Sequence, residues 1–209
     1  MKRSTTIAFV RHVHYVWRHS HDWRAPQSLA VVFAMLVLLG IPALRAQQPR
    51  ASEYQVKATY IYNFARFVAW PATSAAAKSD EFALCVLGRD PFGSALDSVV
   101  AGEIMDGKAV SVKRVSKPRD AISCRVLFIS SSEDSRLKEI LAALDKACVL
   151  TVSDMPQFSQ RGGMIQFVQE SNKIRFEVNL ASAENAGLSL SSELLKVAIT
   201  VRRNSQPGD

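Results

Sequence analysis

Histidine is almost missing from this chain. All four histidines lie within the first 21 residues, so residues 47–209 contain none. Imidazole is the side chain that proteins use most often as a general base near neutral pH and as a metal ligand. Residues 47–209 therefore cannot hold a histidine-based catalytic triad, and they lack the dense ligand spacing that a zinc site requires. An enzyme is the least favoured class of function.

Charge is absent from one long segment near the start of the chain. Residues 28–44 form a run of 17 residues without a charged side chain, preceded by basic residues and followed by Arg45 and Ala46. This pattern is typical of a secretory signal peptide, so residues 1–46 are predicted to be a signal peptide with a long basic leader, cleaved after Ala46. An uncleaved anchor is the alternative, because a membrane-spanning helix needs about 17 to 25 apolar residues. In both cases the remainder is expected outside the cytoplasm, since basic flanks stay on the cytoplasmic side.

The positive charge of the chain belongs mostly to this leading segment. The whole chain has 26 Lys and Arg against 19 Asp and Glu, a formal net charge of +7. Residues 1–46 hold six of the basic and one of the acidic residues, which leaves 20 basic and 18 acidic residues. The exported part is nearly neutral, so it lacks the basic surplus typical of nucleic-acid-binding proteins.

Residues 52–203 are predicted to form one domain, because about 160 residues suffice for a single core. Residues 47–51 are expected to be a linker, and residues 204–209 a flexible tail. The first helix is predicted from Ser52 to about Trp70, where apolar residues recur at a spacing of three and four and Pro71 ends the helix.

Buried strands and amphipathic helices then alternate along the chain. Strands are predicted at 82–87, 108–115, 124–129 and 148–152, and the helices between them at Pro91 and at Ser131 or Ser132. Such alternation favours a mainly parallel sheet with helices on both faces, joined by right-handed connections.

The order of predicted strands and helices changes in the last third of the chain. Residues 164–168 and 174–178 alternate strictly around a turn, which predicts an antiparallel hairpin. Helices are predicted at 181–186 and 191–201. The predicted fold class is therefore α/β: a compact single domain with a mainly parallel sheet, helices on both faces and a C-terminal antiparallel hairpin.

Two motifs suggest chemistry but have simpler interpretations. Gly88 and Gly93 flank a strand-to-helix turn, where a dinucleotide-binding loop would lie. They are five residues apart with Pro91 between them, whereas the dinucleotide fingerprint needs closely spaced glycines, so an ordinary turn is favoured. Asp154 follows a predicted strand and is expected to cap a helix.

Glu177 is less easily assigned to a structural role. Strand alternation places Glu177 on one face with Arg175, opposite Ile174 and Phe176. A solvated strand face is the simpler interpretation, and a polar anchor for a partner protein is the alternative.

The three cysteines of the chain cannot all pair internally. Cys85 and Cys124 lie in neighbouring predicted strands, where their α-carbons can reach the separation of about 4.4 to 6.8 Å that a disulfide needs. This pairing is favoured. Cys148 is then expected to be a buried thiol, with an intermolecular disulfide as the alternative.

Several segments together resemble a known family. Residues 54–71 read YQVKATYIYNFARFVAWP, and residues 174–180 read IRFEVNL. Between and after them come, in the same order, CVLGRDPFG at 85–93, CRVLFIS at 124–130, GGMI at 162–165 and LLK at 194–196. Over nearly the whole exported domain, these segments resemble the YfiR family of periplasmic proteins.

The resemblance implies a compact α/β fold, homodimerisation, no cofactor and no enzymatic activity. The best-known member binds the periplasmic sensor domain of an inner-membrane diguanylate cyclase and keeps the cyclase inactive, which limits cyclic di-GMP and biofilm formation. The expected function is therefore that of a periplasmic repressor of such a cyclase, with no membrane insertion after signal cleavage.

The resemblance also assigns roles to individual residues. Cys85 and Cys124 match one disulfide pair of that member, in agreement with the strand argument. Its second pair would fall near Ser159 and Gln166 and does not carry over. The partner-binding surface of the family maps onto Ile165, Glu177 and Ala183.

A small-molecule sensor is the alternative function. The first predicted helix is rich in aromatic residues, which are expected either to pack in the core or to line a pocket for a planar aromatic ligand. These residues are Tyr54, Tyr60, Tyr62, Phe64, Phe67 and Trp70.

Overall fold

The structure is a computed structural model that describes residues 51–203, with side chains from Glu53 onward. The predicted signal peptide, its cleavage after Ala46 and the predicted C-terminal tail lie outside these residues.

Five α-helices and ten strands follow one another along residues 51–203. The first half of this range comprises α1 (Ala51–Arg66), β1 (Val68–Ala69), β2 (Glu81–Leu87), α2 (Ser94–Val100), β3 (Ile104–Met105) and β4 (Lys108–Val115). The second half comprises β5 (Val126–Ile129), α3 (Leu137–Ala143), β6 (Leu150–Ser153), β7 (Ile165–Glu170), β8 (Lys173–Asn179), α4 (Leu180–Asn185), β9 (Ser189–Leu190), α5 (Ser192–Val197) and β10 (Thr200–Arg202).

Eight strands form one sheet, in the order β10-β8-β7-β6-β5-β2-β4-β3. Neighbouring strands are parallel except in two pairs, β7 with β8 and β3 with β4. In the β7–β8 hairpin, Phe167 lies opposite Phe176. The predicted α/β class, mainly parallel sheet and antiparallel hairpin are therefore confirmed.

The sheet separates two apolar layers. Leu84 and Val86 of β2 contribute to the layer that holds Phe64 of α1 and Leu96 of α2. The intervening residues, Cys85 and Leu87, contribute to the opposite layer, which holds Leu137 and Ile140 of α3. Because successive side chains of a strand point to opposite faces, a strand buried on both sides is apolar throughout. Helices cover both faces, as predicted.

Two predicted boundaries are wrong because short strands replace helix ends. Helix α1 ends at Arg66 instead of Trp70, since β1 pairs antiparallel with β9. The predicted helix over 191–201 ends at Val197, and Thr200–Arg202 instead pairs in parallel with β8. In both places the chain forms sheet hydrogen bonds that the local spacing of apolar residues does not predict.

The helix starts also differ from the predicted ones. Helix α2 begins at Ser94 and not at Pro91, because the Asp90 Oδ1 accepts a hydrogen bond from the Phe92 amide at 2.7 Å and holds a turn there. After β5, the capping side chain is Ser130, whose Oγ accepts from the Ser132 amide at 3.3 Å. A 3-10 helix over Ser131–Arg136 then leads into α3.

The disulfide between Cys85 and Cys124 is present, with the two α-carbons 6.0 Å apart. It joins the centre of β2 to the segment just before β5, in the layer under α3. Cys148 is free, but it is only half-buried, so the expected buried thiol is corrected. The predicted intramolecular pairing is confirmed, whereas an intermolecular bond at Cys148 stays a hypothesis.

Replacing Cys124 by Ser is expected to lower the free energy of unfolding by about 4 kcal/mol, because the disulfide closes a loop with a sequence separation of 39 residues. Urea unfolding of wild type and Cys124→Ser measures this difference. Cys148→Ser is the matched control and should unfold near the wild-type midpoint. Equal midpoints for Cys124→Ser and wild type would contradict the prediction.

Candidate functional site

Glu177 lies on β8, one strand in from the sheet edge, opposite Thr200 of the edge strand β10. Its side chain is 18% exposed. The Oε2 atom accepts a hydrogen bond from the Ser159 hydroxyl at 2.8 Å and lies 3.9 Å from the Arg202 guanidinium. Glu177 is therefore a held carboxylate at the rim of the domain, and not a freely solvated one.

Ser159 connects this carboxylate to the interior. The Gln166 side-chain oxygen accepts a hydrogen bond from the Ser159 amide at 3.0 Å, and the Asn179 side-chain amide donates to the Ser159 carbonyl at 2.8 Å. The other end of Asn179 caps α4 by accepting from the Ser182 amide at 3.0 Å. The loop after β6, the hairpin and α4 are thus joined by one buried polar network.

Ile165 and Ala183, the other two residues assigned to a partner surface, are both fully buried. Ile165 belongs to β7 and pairs with Val152 and Val178 on its two sides. Ala183 lies on the inner side of α4. Their placement on a surface is corrected, because neither side chain reaches solvent. Partner binding by Glu177 stays a prediction.

A second polar cluster surrounds the ammonium group of Lys57 in α1. Lys57 is only 4% exposed, although lysine is rarely buried without partners. Its Nζ lies 2.7 Å from the Asp154 Oδ2 and 2.7 Å from the Glu53 Oε1. It also lies 4.4 Å from the centre of the Tyr54 ring. Two carboxylates and an aromatic face thus replace the water that the ammonium loses.

Asp154 was predicted to cap a helix, but it does not. The strand β6 ends at Ser153, and it is the Ser153 hydroxyl that accepts from the Met155 amide at 3.1 Å. The Asp154 Oδ2 instead receives the Lys57 ammonium and the Tyr54 hydroxyl, the latter at 3.1 Å. Asp154 therefore fixes the start of α1 to the end of a central strand.

The cluster shifts the pKa values of its members. Burial alone would lower the pKa of Lys57, but its hydrogen bonds to Asp154 and Glu53 outweigh burial, so the pKa is raised. Burial and the negative charge of Asp154 both raise the pKa of Tyr54. The folded state thus favours the charged lysine and the neutral tyrosine.

Sequence reasoning missed this cluster, although one signal was present. Lys57 precedes Ile61 and Phe64 by four and seven residues, so all three lie on one side of α1. A lysine on an apolar helix face requires a buried carboxylate. Nothing in the sequence indicates which carboxylate it is.

A cavity of about 230 Å³ lies beside this cluster. Glu53, Lys57 and Asp154 line its charged side. Tyr54 from α1 and Phe167 and Ile174 from the hairpin provide apolar surface.

Residues 51–203 contain no group of three or more His, Cys, Asp and Glu side chains arranged to hold a metal ion. Within the same range, no helix has the length and apolar character needed to cross a membrane.

Residues 54–199 match the sequence profile of the YfiR/HmsC-like family. The chain belongs to this family. The match spans helix α1 from Tyr54 onward, every strand of the central sheet except the edge strand β10, and the hairpin that carries Glu177. The YfiR/HmsC-like family is regulatory and non-catalytic, and it is associated with periplasmic control of diguanylate cyclase signalling.

Two solved structures resemble this chain at low sequence identity, and the first of them shares its fold. A conserved domain protein from Vibrio cholerae is 11% identical with a TM-score of 0.51, and the alignment covers 72% of this chain. An ABC domain from Streptococcus pneumonia, solved with L-Trp, is 10% identical with a TM-score of 0.48 over 69% of this chain. The chain spans only 60% of the length of each of these proteins. No curated protein sequence matches the chain.

Of the two disulfides expected from the resemblance, this chain forms one. Cys85 and Cys124 form the disulfide expected from the family. Ser159 and Gln166, near which the second family disulfide was expected to fall, instead touch through hydrogen bonds of 3.0 and 3.2 Å. The contact next to Glu177 is therefore insensitive to oxidants and reductants.

Replacing Lys57 by Met should lower the free energy of unfolding by about 3 kcal/mol, the low end for breaking a buried ion pair, because Asp154, which is 14% exposed, would lose its cation. Urea unfolding measures the loss. Lys138→Met, at an exposed position of α3, is the control and should change stability by less than about 0.5 kcal/mol. The double variant Lys57→Met/Asp154→Leu should regain part of the loss. A Lys57→Met midpoint equal to that of wild type would contradict the ion-pair argument.

Alkaline pH should weaken the fold through the same cluster. The pKa values of Lys57 and Tyr54 are raised above their unfolded values of about 10.4 and 10. Their contribution to stability is complete below about pH 10 and is lost as the pH rises through the folded-state values. Urea unfolding at a series of pH values should show a steeper alkaline decline for wild type than for Lys57→Met/Asp154→Leu. Parallel declines would show that the cluster is not responsible.

Proposed function

We propose that this protein is a periplasmic repressor that binds the periplasmic sensor domain of an inner-membrane diguanylate cyclase and thereby lowers cyclic di-GMP and biofilm formation. The supporting observation is the YfiR/HmsC-like match over residues 54–199, which includes the hairpin with Glu177. The histidine-free sequence of residues 47–209 also favours binding over catalysis. Export by the predicted signal peptide would place the protein in the same compartment as such a sensor domain. The proposed repressor is a homodimer.

The proposed contact surface is the sheet edge at β10. Val197 is 62% exposed and Ile199 is 44% exposed, which is unusual for large apolar side chains beside an edge strand. The Ile199 amide donates to the Phe176 carbonyl at 3.0 Å, so this apolar pair lies directly beside the strand that carries Glu177. Two exposed apolar side chains near the sheet edge, with a held carboxylate one strand in from that edge, supply the apolar and polar groups that an interface usually combines.

This surface replaces the one drawn from the resemblance. Glu177 is retained as the polar anchor, whereas the buried Ile165 and Ala183 act by supporting the sheet and α4 beneath it. In the proposed surface, Val197 and Ile199 make the apolar contacts with the partner.

The aromatic residues of α1 give little support to a sensor for planar ligands. Tyr60 and Phe64 pack on Phe167 and Phe176, with ring centres 4.9 to 6.0 Å apart. Tyr54 packs edge-on against Phe92 at 5.5 Å. Most of these rings thus pack in or against the core, which was the simpler of the two expectations.

Glu177→Lys should release the repression of the cyclase. The substitution reverses the charge of the anchor and places a second cation beside Arg202, so the loss of affinity should be at least about 2 kcal/mol, roughly thirtyfold. The measurement is cellular cyclic di-GMP with the cyclase co-expressed, together with recovery of the cyclase from detergent-solubilised membranes. Val197→Asp should have the same effect through the apolar part of the surface.

Two control variants separate the surface from general damage. Glu170→Lys changes an exposed carboxylate at the far end of the hairpin. Ile104→Asp changes a 70% exposed apolar residue at the opposite sheet edge, on β3. Both controls should repress like wild type, and thermal unfolding should show every variant folded. Unchanged cyclic di-GMP on deleting the protein would remove the proposed function, and equal repression by all four variants would remove the proposed surface.

A further inference from the structure

The cavity beside Lys57 lies apart from the proposed partner surface. Strand alternation places Ile174 and Phe176 on the sheet face that carries α1, and Glu177 on the opposite face. The cavity is bounded by α1, the carboxyl end of β6 and the hairpin. Its function is therefore a separate question from partner binding.

The charges around the cavity do not balance. Glu53 and Asp154 carry two negative charges, and Lys57 is the single cation among the lining residues. Lys57 binds one oxygen of each carboxylate, at 2.7 Å in both cases. Within residues 51–203, the hydrogen bonds to Asp154 all use Oδ2, which leaves Oδ1 without a partner. A cation that enters the cavity thus finds a formal charge of −1 and a free carboxylate oxygen.

The remaining walls determine what kind of cation fits. Phe167 and Ile174 also line the cavity and add apolar atoms to its wall. A hydrated metal ion would leave this surface unused, whereas an organic cation would cover it. The volume of about 230 Å³ is below the range of roughly 300 to 1,000 Å³ typical of drug-sized ligands, so the ligand must be small. An ammonium group, with three N–H donors, matches several carboxylate oxygens at once.

We propose that this cavity binds a small primary amine that carries a short apolar chain. The ammonium group donates to the Asp154 Oδ1 and to the Glu53 carboxylate, and the chain lies against Phe167 and Ile174. Lys57 holds both carboxylates in place through its two 2.7 Å contacts. The proposal does not depend on the regulatory function, because its test measures ligand binding alone.

The test is a titration of the purified, isotope-labelled protein with n-butylammonium chloride, followed by amide NMR shifts. We expect saturable shifts at residues 53–57 and 167–169, with a dissociation constant in roughly the millimolar range expected for so small a ligand. The uncharged analogue n-butanol should give no saturable shift at these residues. Potassium chloride at the same concentration controls for ionic strength.

Two variants identify the site. Glu53→Gln removes one negative charge from a side chain that is 38% exposed, so the fold should persist while the dissociation constant rises roughly tenfold. Glu184→Gln, at an exposed position of α4, should leave it unchanged. Equal saturable shifts with n-butanol, shifts that do not saturate, or an unchanged dissociation constant in Glu53→Gln would each overturn the proposal.

Discussion

The burial of one ammonium group imposes the arrangement of much of this domain. Lys57 is 4% exposed, and a charge at such a position is tolerated only with close, well-oriented partners. Asp154 at the end of β6 and Glu53 one helical turn earlier supply them. Because Asp154 directly follows the central strand β6, the pair fixes how α1 lies across the sheet. The rings of Tyr60 and Phe64 then reach Phe167 and Phe176, and the apolar layer under α1 closes.

The opposite layer is held differently. There the disulfide between Cys85 and Cys124 ties β2 to the approach of β5, next to the side chains of α3. A covalent link stabilises mainly by restricting the unfolded chain, whereas the ion pair depends on protonation. The two faces of the sheet should therefore respond to different conditions, one to reductant and the other to alkaline pH. A family member that works in the periplasm meets an oxidising environment, in which the covalent link persists.

The sequence was sufficient for the fold because the central strands are apolar on both faces and the helices between them are amphipathic. Such patterns survive tertiary context, and they predicted β2, β4 and the hairpin within one or two residues. The edge strands were harder to predict from the sequence, because β1, β9 and β10 have only two or three residues each and form only by pairing with other strands. The residues of the candidate site were harder still to predict from the sequence. Glu177 lies in a strand as predicted, and its role as an anchor stays a prediction. Ile165 and Ala183 were assigned by resemblance, which carries no information about burial. Lys57 and Asp154 are 97 residues apart, so no local pattern connects them.

The hairpin is the element that the two proposed sites share, and its geometry determines whether they are independent. Ile174 faces the cavity and Glu177 faces the partner side, three residues apart on one strand, or roughly 10 Å along it. Substitutions at that separation with no shared contact usually add in free energy. The contacts here are separate: Glu177 bonds to Ser159, while Ile174 lines the cavity with Glu53 and Lys57. A variant that loses amine binding should therefore keep repression, and the reverse should also hold. If both activities fell together, the hairpin would have to move as one unit between two arrangements, and the amine would then be a regulator of partner binding.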